Sequence, residues 1–272
     1  MYALEAPFVK RFIKLCTDGY AKGWHERNGG NLSYRMIDEE VELVKENFDE
    51  SAPWIKIGAS VPALANMYFL VKCTGAFMMN MASDPLHSLG IIHLDEKGEN
   101  YRIVFGMLDG RRPTSELPSH LMNLEVVMKR TNGKYRVVYH CHPVNSIALS
   151  FVLPLEDKVW SHRFWEMMTE CPIIFPAGVG VTKWMVPGGE EIAKATSKLM
   201  ETYDVAIWAH HGIFVTGDSF DNAWGLAETV EKSAEILVKV LSMGGIKQTI
   251  PDDGFRALEE PYHVHVNPKF LD

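Results

Sequence analysis

The sequence predicts an α/β or α+β architecture with a mixed or antiparallel sheet lying between helices. Three observations predict it. Apolar runs of four to seven residues, bounded by turn residues, alternate loosely with longer segments whose apolar positions recur near every 3.6 residues. Some of the runs come as hairpin-like pairs. No internal repeat, low-complexity segment or linker rich in Pro, Gly or Ser divides the chain, so residues 1–272 read as one domain.

Residues 5–22 carry Phe8, Phe12, Ile13, Cys16 and Tyr20 near helical spacing and predict a helix. It runs into the polar glycine turn Arg27-Asn28-Gly29-Gly30-Asn31, after which Leu32–Arg35 reads as a strand. Trp54–Ile57 and Met67–Cys73 are two further apolar strands, the second ending in Thr74-Gly75. Residues 91–94 and 101–106 pair around a polar turn at 95–100. Pro113-Thr114-Ser115-Glu116-Leu117-Pro118 starts a helix that reaches about Arg130, where Asn132-Gly133 stops it. Thr114 or Ser115 is the expected cap. Tyr135–His140 is a buried strand, and helices follow near 145–153 and 157–168. Ile173–Phe175 reads as a strand, 189–202 as a helix, and Val205–Trp208 and Ile213–Val215 as strands flanking His210-His211-Gly212. Ser219 caps the longest helix, about 220–242, which Gly244-Gly245 ends. From Pro251 onward the tail has little pattern.

Composition narrows the function. With 47% hydrophobic and 23% charged residues, 272 residues suffice for a large buried core. The formal net charge is −8 and no basic run of five exists, which argues against nucleic acid or an anionic membrane as partner. No stretch reaches the ~18 consecutive apolar residues of a membrane span. The N-terminus carries Glu5 and lacks the apolar core of a signal peptide. Cys16, Cys73, Cys141 and Cys171 have no framework spacing, and each reads as a small buried hydrophobe in a reduced, cytoplasmic protein.

His140 and His142 flank Cys141 at the end of an apolar strand. Residues i and i+2 of a strand share a face, so the two imidazoles form a clamp for a metal, although an H-x-H also arises by chance. A third ligand is available from His210 or His211, and local sequence does not choose between them. Gly212 relaxes the backbone there and lets a ligand approach closely. Three neutral imidazoles with an open fourth position is the pattern of a catalytic zinc. His263 and His265 repeat the H-x-H spacing in a tail with no strand to hold it, and read as surface residues. His25, His87, His93 and His162 lack paired spacing. His120 lies four residues after Glu116 on one helix face and reads as a second wall of the same cleft.

Glu116, 24 residues before His140, starts a helix, where a carboxylate is favoured on electrostatic grounds alone. Glu170 reads as the end of the 157–168 helix, where a carboxylate is electrostatically misplaced and so points to another job. Asn28-Gly29-Gly30-Asn31, Thr74-Gly75 and Thr114-Ser115 offer backbone N–H groups and small polar side chains that bind phosphate without Lys or Arg. None matches a nucleotide-binding fingerprint.

These segments, with Thr169-Glu170-Cys171, Trp184-Met185-Val186-Pro187-Gly188 and Ser242-Met243-Gly244-Gly245, resemble in order the rhamnulose-1-phosphate aldolase family of the class II aldolases. The resemblance runs over about residues 7–250. It implies a class II aldolase-like fold, with a central mixed, mainly antiparallel sheet flanked by helices. It implies zinc on His140, His142 and His211, Glu116 as the catalytic acid/base, and phosphate-binding by Asn28, Gly29, Asn31, Thr74, Gly75 and Ser115. It also implies a homotetramer in which Glu170 reaches a neighbouring subunit's site. The departure visible here is Thr74, where serine is expected; the hydroxyl is kept. The implied activity is retro-aldol cleavage of L-rhamnulose 1-phosphate to dihydroxyacetone phosphate and L-lactaldehyde, in rhamnose catabolism. Zinc would disperse the charge left when C3–C4 breaks, and Glu116, its pKa raised in an apolar cleft, would return the proton to C3. Rival readings are a fuculose-1-phosphate aldolase or pentulose-phosphate epimerase, a scaffold without activity, and Schiff-base chemistry on Lys72.

Overall fold

A computed structural model describes residues 1–271. Its centre is a nine-stranded sheet: β1 Asn31–Arg35, β2 Ile55–Lys56, β3 Tyr68–Lys72, β4 Leu89–Leu94, β5 Asn100–Gly106, β6 Val137–Cys141, β7 Gly180–Thr182, β8 Val205–Trp208 and β9 Gly212–Gly217, in the order β2-β5-β4-β3-β1-β6-β9-β8-β7. Every strand pair is antiparallel except β7–β8. The helices are α1 Pro7–Ala21, α2 Asp38–Val44, α3 Pro85–Ser88, α4 Leu117–Arg130, α5 Val144–Leu149, α6 Asp157–Met167, α7 Glu170–Ile174, α8 Glu190–Met200, α9 Phe220–Ser242, α10 Asp252–Ala257 and α11 Glu259–Tyr262.

Both sheet faces are covered, so the central strands are buried throughout. On β6, Val137, Tyr139 and Cys141 point into a core shared with α1, α6 and α9. Val138 points the other way, into a core that holds Leu121 and Leu124 of α4 and Ile192 of α8. By the same alternation His140 follows Val138, and its ring lies 4.7 Å from that of Trp208 and 5.9 Å from that of Phe214. Two helices are fixed by local chemistry. The Ser219 hydroxyl accepts the Asn222 N–H at the start of α9, and Gly244 and Gly245, both at positive φ, follow its end. Asn132 and Gly133 take up positive φ after α4.

Several local expectations fail. Trp54–Ile57 shrinks to the two-residue edge strand β2, because Trp54 turns outward under the Arg102 guanidinium and Gly58 takes φ 87°. Ile173–Phe175 is not a strand: Ile173 and Ile174 belong to α7, a short apolar run being ambiguous between helix and strand. The helix after Thr114-Ser115 begins at Leu117 without a side-chain cap; the Thr114 hydroxyl instead accepts the Glu116 N–H. Helix α2 and strand β7 have no counterpart in the sequence reading. The tail is not patternless packing either: α10 and α11 fold back, and Phe255, Val266 and Phe270 are buried in the core beside Trp165. Among the described residues no helix is long and apolar enough to cross a membrane.

Candidate active site

The site assembles at the ends of β6, β8 and β9. His140 sits on β6, His142 just beyond it, and His211 in the turn between β8 and β9. Their ring nitrogens are the one group among the described residues that could hold a metal ion. The His140 Nε2 lies 3.2 Å from the His142 Nε2 and 3.4 Å from the His211 Nε2. Ligand nitrogens on a tetrahedral ion with metal–nitrogen bonds of about 2.0–2.1 Å lie about 3.3 Å apart, which both of these spacings match, and the three ligand atoms all lie within 4.8 Å of one another. The outer nitrogens support it. The His140 Nδ1–H donates to the Ile213 carbonyl at 2.8 Å, and because a carbonyl only accepts, the proton is on Nδ1 and the Nε2 lone pair faces inward. The His142 Nδ1–H likewise donates to the Glu26 carboxylate, at 2.7 Å. Burial first, and then the neighbouring imidazoles, hold His140 well below the usual histidine range; burial and His142 lower His211 to about 4. His140 and His211 therefore present neutral imidazoles, the form a cation needs.

His211, not His210, joins the clamp. His210 takes the left-handed conformation at φ 62°, which swings its ring out to the Ser150 hydroxyl at 3.0 Å and against Phe151. Gly212 serves a different purpose from the one its flexibility suggested. A Cβ there would meet the Cys141 carbonyl and the His142 ring, so glycine is required for β9 to close on β6.

Glu116 is buried beside this trio. Its Oε2 accepts a 2.6 Å hydrogen bond from the Asn31 amide and lies 3.9 Å from the His140 Nε2. Strand register explains the meeting, since Asn31 of β1 is the cross-strand partner of His140. Burial raises the Glu116 pKa, against the lowering pull of Asn31, His142 and Lys72. The three expected turns converge on the same cleft of about 150 Å³, whose wall includes Asn28, Gly29, Asn31, Thr74, Gly75 and Ser115. A Cβ on Gly30 would strike His25 and the His140 carbonyl, so the first turn lies directly on the histidine strand. The Thr74 N–H donates to the Arg112 carbonyl and the Thr114 N–H to the Lys72 carbonyl, which ties the second turn to the third.

Residues 10–238 match the Class II Aldolase and Adducin N-terminal domain. The chain belongs to the class II aldolase family. It is similar to a rhamnulose-1-phosphate aldolase from Mannheimia succiniciproducens, 49% identical over 257 residues that cover 94% of each chain. A rhamnulose-1-phosphate aldolase from Klebsiella pneumoniae is 42% identical over 269 residues, covering 99% of this chain and 98% of that one. Among solved structures, a sugar-phosphate aldolase from Thermotoga maritima superposes with a TM-score of 0.74 at 28% identity, covering 88% of this chain and 97% of that one.

In this aldolase the expected residues thus meet in one cleft, with three corrections. His120 is fully buried against Phe214 and is not part of the cleft wall. Glu170 does not end a helix but begins α7, where its charge suits the helix dipole; it is exposed and does not line the cleft of its own chain. The wall is polar rather than apolar, so burial itself, and not an apolar lining of the cleft, raises the Glu116 pKa. Glu26, which orients His142, was missed although it stands one residue before Arg27-Asn28-Gly29-Gly30-Asn31; a carboxylate next to a predicted ligand-binding turn was the available signal.

Proposed function

We propose that this class II aldolase cleaves L-rhamnulose 1-phosphate to dihydroxyacetone phosphate and L-lactaldehyde, a step of rhamnose catabolism. One observation carries the reading: a single cleft joins three convergent imidazoles, a buried carboxyl of raised pKa and three polar turns, in a chain 49% identical to a rhamnulose-1-phosphate aldolase. His140, His142 and His211 would hold zinc, to which three imidazoles with an open fourth position are suited. The bound ion supplies Lewis acidity for the negative charge that builds on substrate oxygens during cleavage.

The chain's own groups do the rest. Asn28, Gly29, Asn31, Thr74, Gly75 and Ser115 bind the phosphate and adjoining oxygens through backbone N–H, amide and hydroxyl donors. The C4 hydroxyl gives up its proton, the C3–C4 bond breaks, and C4 departs as the aldehyde carbon of lactaldehyde. The electron pair of that bond stays with the three-carbon fragment, and C3 then takes a proton to complete dihydroxyacetone phosphate. Glu116 carries the C3 proton. Its desolvated carboxyl holds a proton more readily than an exposed one, while the Asn31 amide fixes the oxygen that shares it. The C4 hydroxyl proton leaves to water or to Glu170 of a neighbouring subunit in a homotetramer.

Assay of the purified protein on L-rhamnulose 1-phosphate and L-fuculose 1-phosphate, with bound metal measured in the same sample, tests this. Faster turnover of the rhamnulose ester and about one zinc per chain are expected. Faster turnover of the fuculose ester would overturn the substrate assignment, and a monomer in sedimentation would overturn the shared site.

A further inference from the structure

Lys72 ends β3 as a charged residue in a fully covered part of the sheet, with 2% of its surface exposed. Its ammonium reaches the cleft between two of the turns, donating to the Asn28 carbonyl at 3.1 Å and to the Cys73 carbonyl at 3.4 Å. Among the residues that line the cleft it is the one lysine or arginine, and the sole carboxylate among them is Glu116. No carboxylate forms an ion pair with it among the described residues. Two neutral carbonyls occupy two of its three N–H donors. A buried cation so placed is unfavourable unless an anion reaches it. The chain as a whole repels anions, with a formal net charge of −8. The neutral N–H groups of the turns do not offset that field.

We propose that Lys72 is a specificity-determining residue that contacts the phosphate of the substrate, so that this aldolase selects a phosphate monoester dianion through a buried ammonium as well as through its backbone turns. The inference rests on the reading of the cleft as a sugar-phosphate site. The Asn28 and Cys73 carbonyls hold the ammonium between the turn that carries Asn28 and the turn that carries Thr74 and Gly75. A phosphate accepting from those turns meets the third Lys72 N–H, and the cation offsets repulsion between the dianion and Glu116. The lysine remains an amine throughout; its role is recognition, not a covalent bond to the ketose.

Lys72→Gln, which keeps an amide N–H for the Asn28 carbonyl, and Lys72→Met, which keeps only the apolar stem, are compared with wild type at matched metal content and after melting curves establish folding. The first readout is binding of inorganic phosphate by titration calorimetry. The second is KM and kcat on L-rhamnulose 1-phosphate against kcat/KM on unphosphorylated L-rhamnulose. Losing one charge-assisted contact predicts roughly 10- to 100-fold weaker phosphate binding and a similar rise in KM for the phosphorylated ketose. Any cleavage of the unphosphorylated ketose falls by a clearly smaller factor, because it loses only the pull of Lys72 on Glu116 and no phosphate contact, a distinction that a merely structural tie would not produce. Unchanged phosphate affinity in either folded variant overturns the proposal, as does an equal loss on both ketoses. Wild-type protein that binds phosphate but cleaves neither ketose phosphate would overturn the proposed function instead, leaving the Lys72 result to be read from the titration.

Discussion

His140 and His142 have the same spacing as His263 and His265, and the two pairs come to opposite ends. On β6 the sheet fixes the backbone, the Ile213 carbonyl and Glu26 carboxylate fix the outer nitrogens, and the two Nε2 atoms meet at 3.2 Å. In the tail His263 follows the short helix α11 at φ 53°, and both His263 and His265 lie exposed. The spacing is therefore a clamp only where a strand and second partners immobilise both rings. The tail contributes differently, by burying Phe255 and Phe270 in the core.

Replacing one member of each pair should separate the two most sharply. His142→Ala should lose bound metal and nearly all aldol cleavage, whereas His263→Ala with His265→Ala should keep both; metal analysis and turnover on the same preparations check this. Retained metal in His142→Ala would break the comparison. Glu116→Gln should keep metal while slowing exchange of the C3 proton of dihydroxyacetone phosphate by ~100-fold or more, followed by solvent deuterium incorporation. Exchange at the wild-type rate would remove Glu116 from its role.

A smaller effect tests what orients the strand pair. Glu26→Gln leaves the imidazoles in place but weakens the acceptor on His142, and should reduce metal affinity about 10-fold, measured by competition with a chelator. The low end of the range applies because the Glu26 side chain is two-thirds exposed. The tail's contribution should appear in stability alone. Phe255→Ala opens a cavity beside Trp165 and should cost ~3–5 kcal/mol in denaturant unfolding, with kcat per folded molecule unchanged. A lost metal site in that variant would show that the tail also supports the centre.

Much of the site could be read from the chain because its parts are local patterns. The period of a strand places His140 and His142 on one face, and a helix that begins near Pro118 places Glu116 at its N-terminal edge. Asn28, Thr74 and Ser115 were visible as turns. The long helix capped by Ser219 was legible for the same reason, since its cap and its glycine stop lie within a few residues of its ends. Short apolar runs were not: Ile173–Phe175 carries no signal that separates a helical turn from a strand.

Local sequence alone thus determined the alternation of strands and helices, the histidine pair and the polar turns, all of which depend on neighbours within a few positions; resemblance added the role of Glu116 and the choice of His211. Tertiary structure decided what depends on groups far apart in the chain. The register of β1 against β6 sets Asn31 beside His140 and its amide on Glu116, across 85 residues. The left-handed turn at His210 sends one of two adjacent imidazoles to Ser150 and leaves the other facing His140. The reach of Lys72 to the Asn28 carbonyl, 44 residues away, sets a cation between two turns that sequence had read as neutral anion sites.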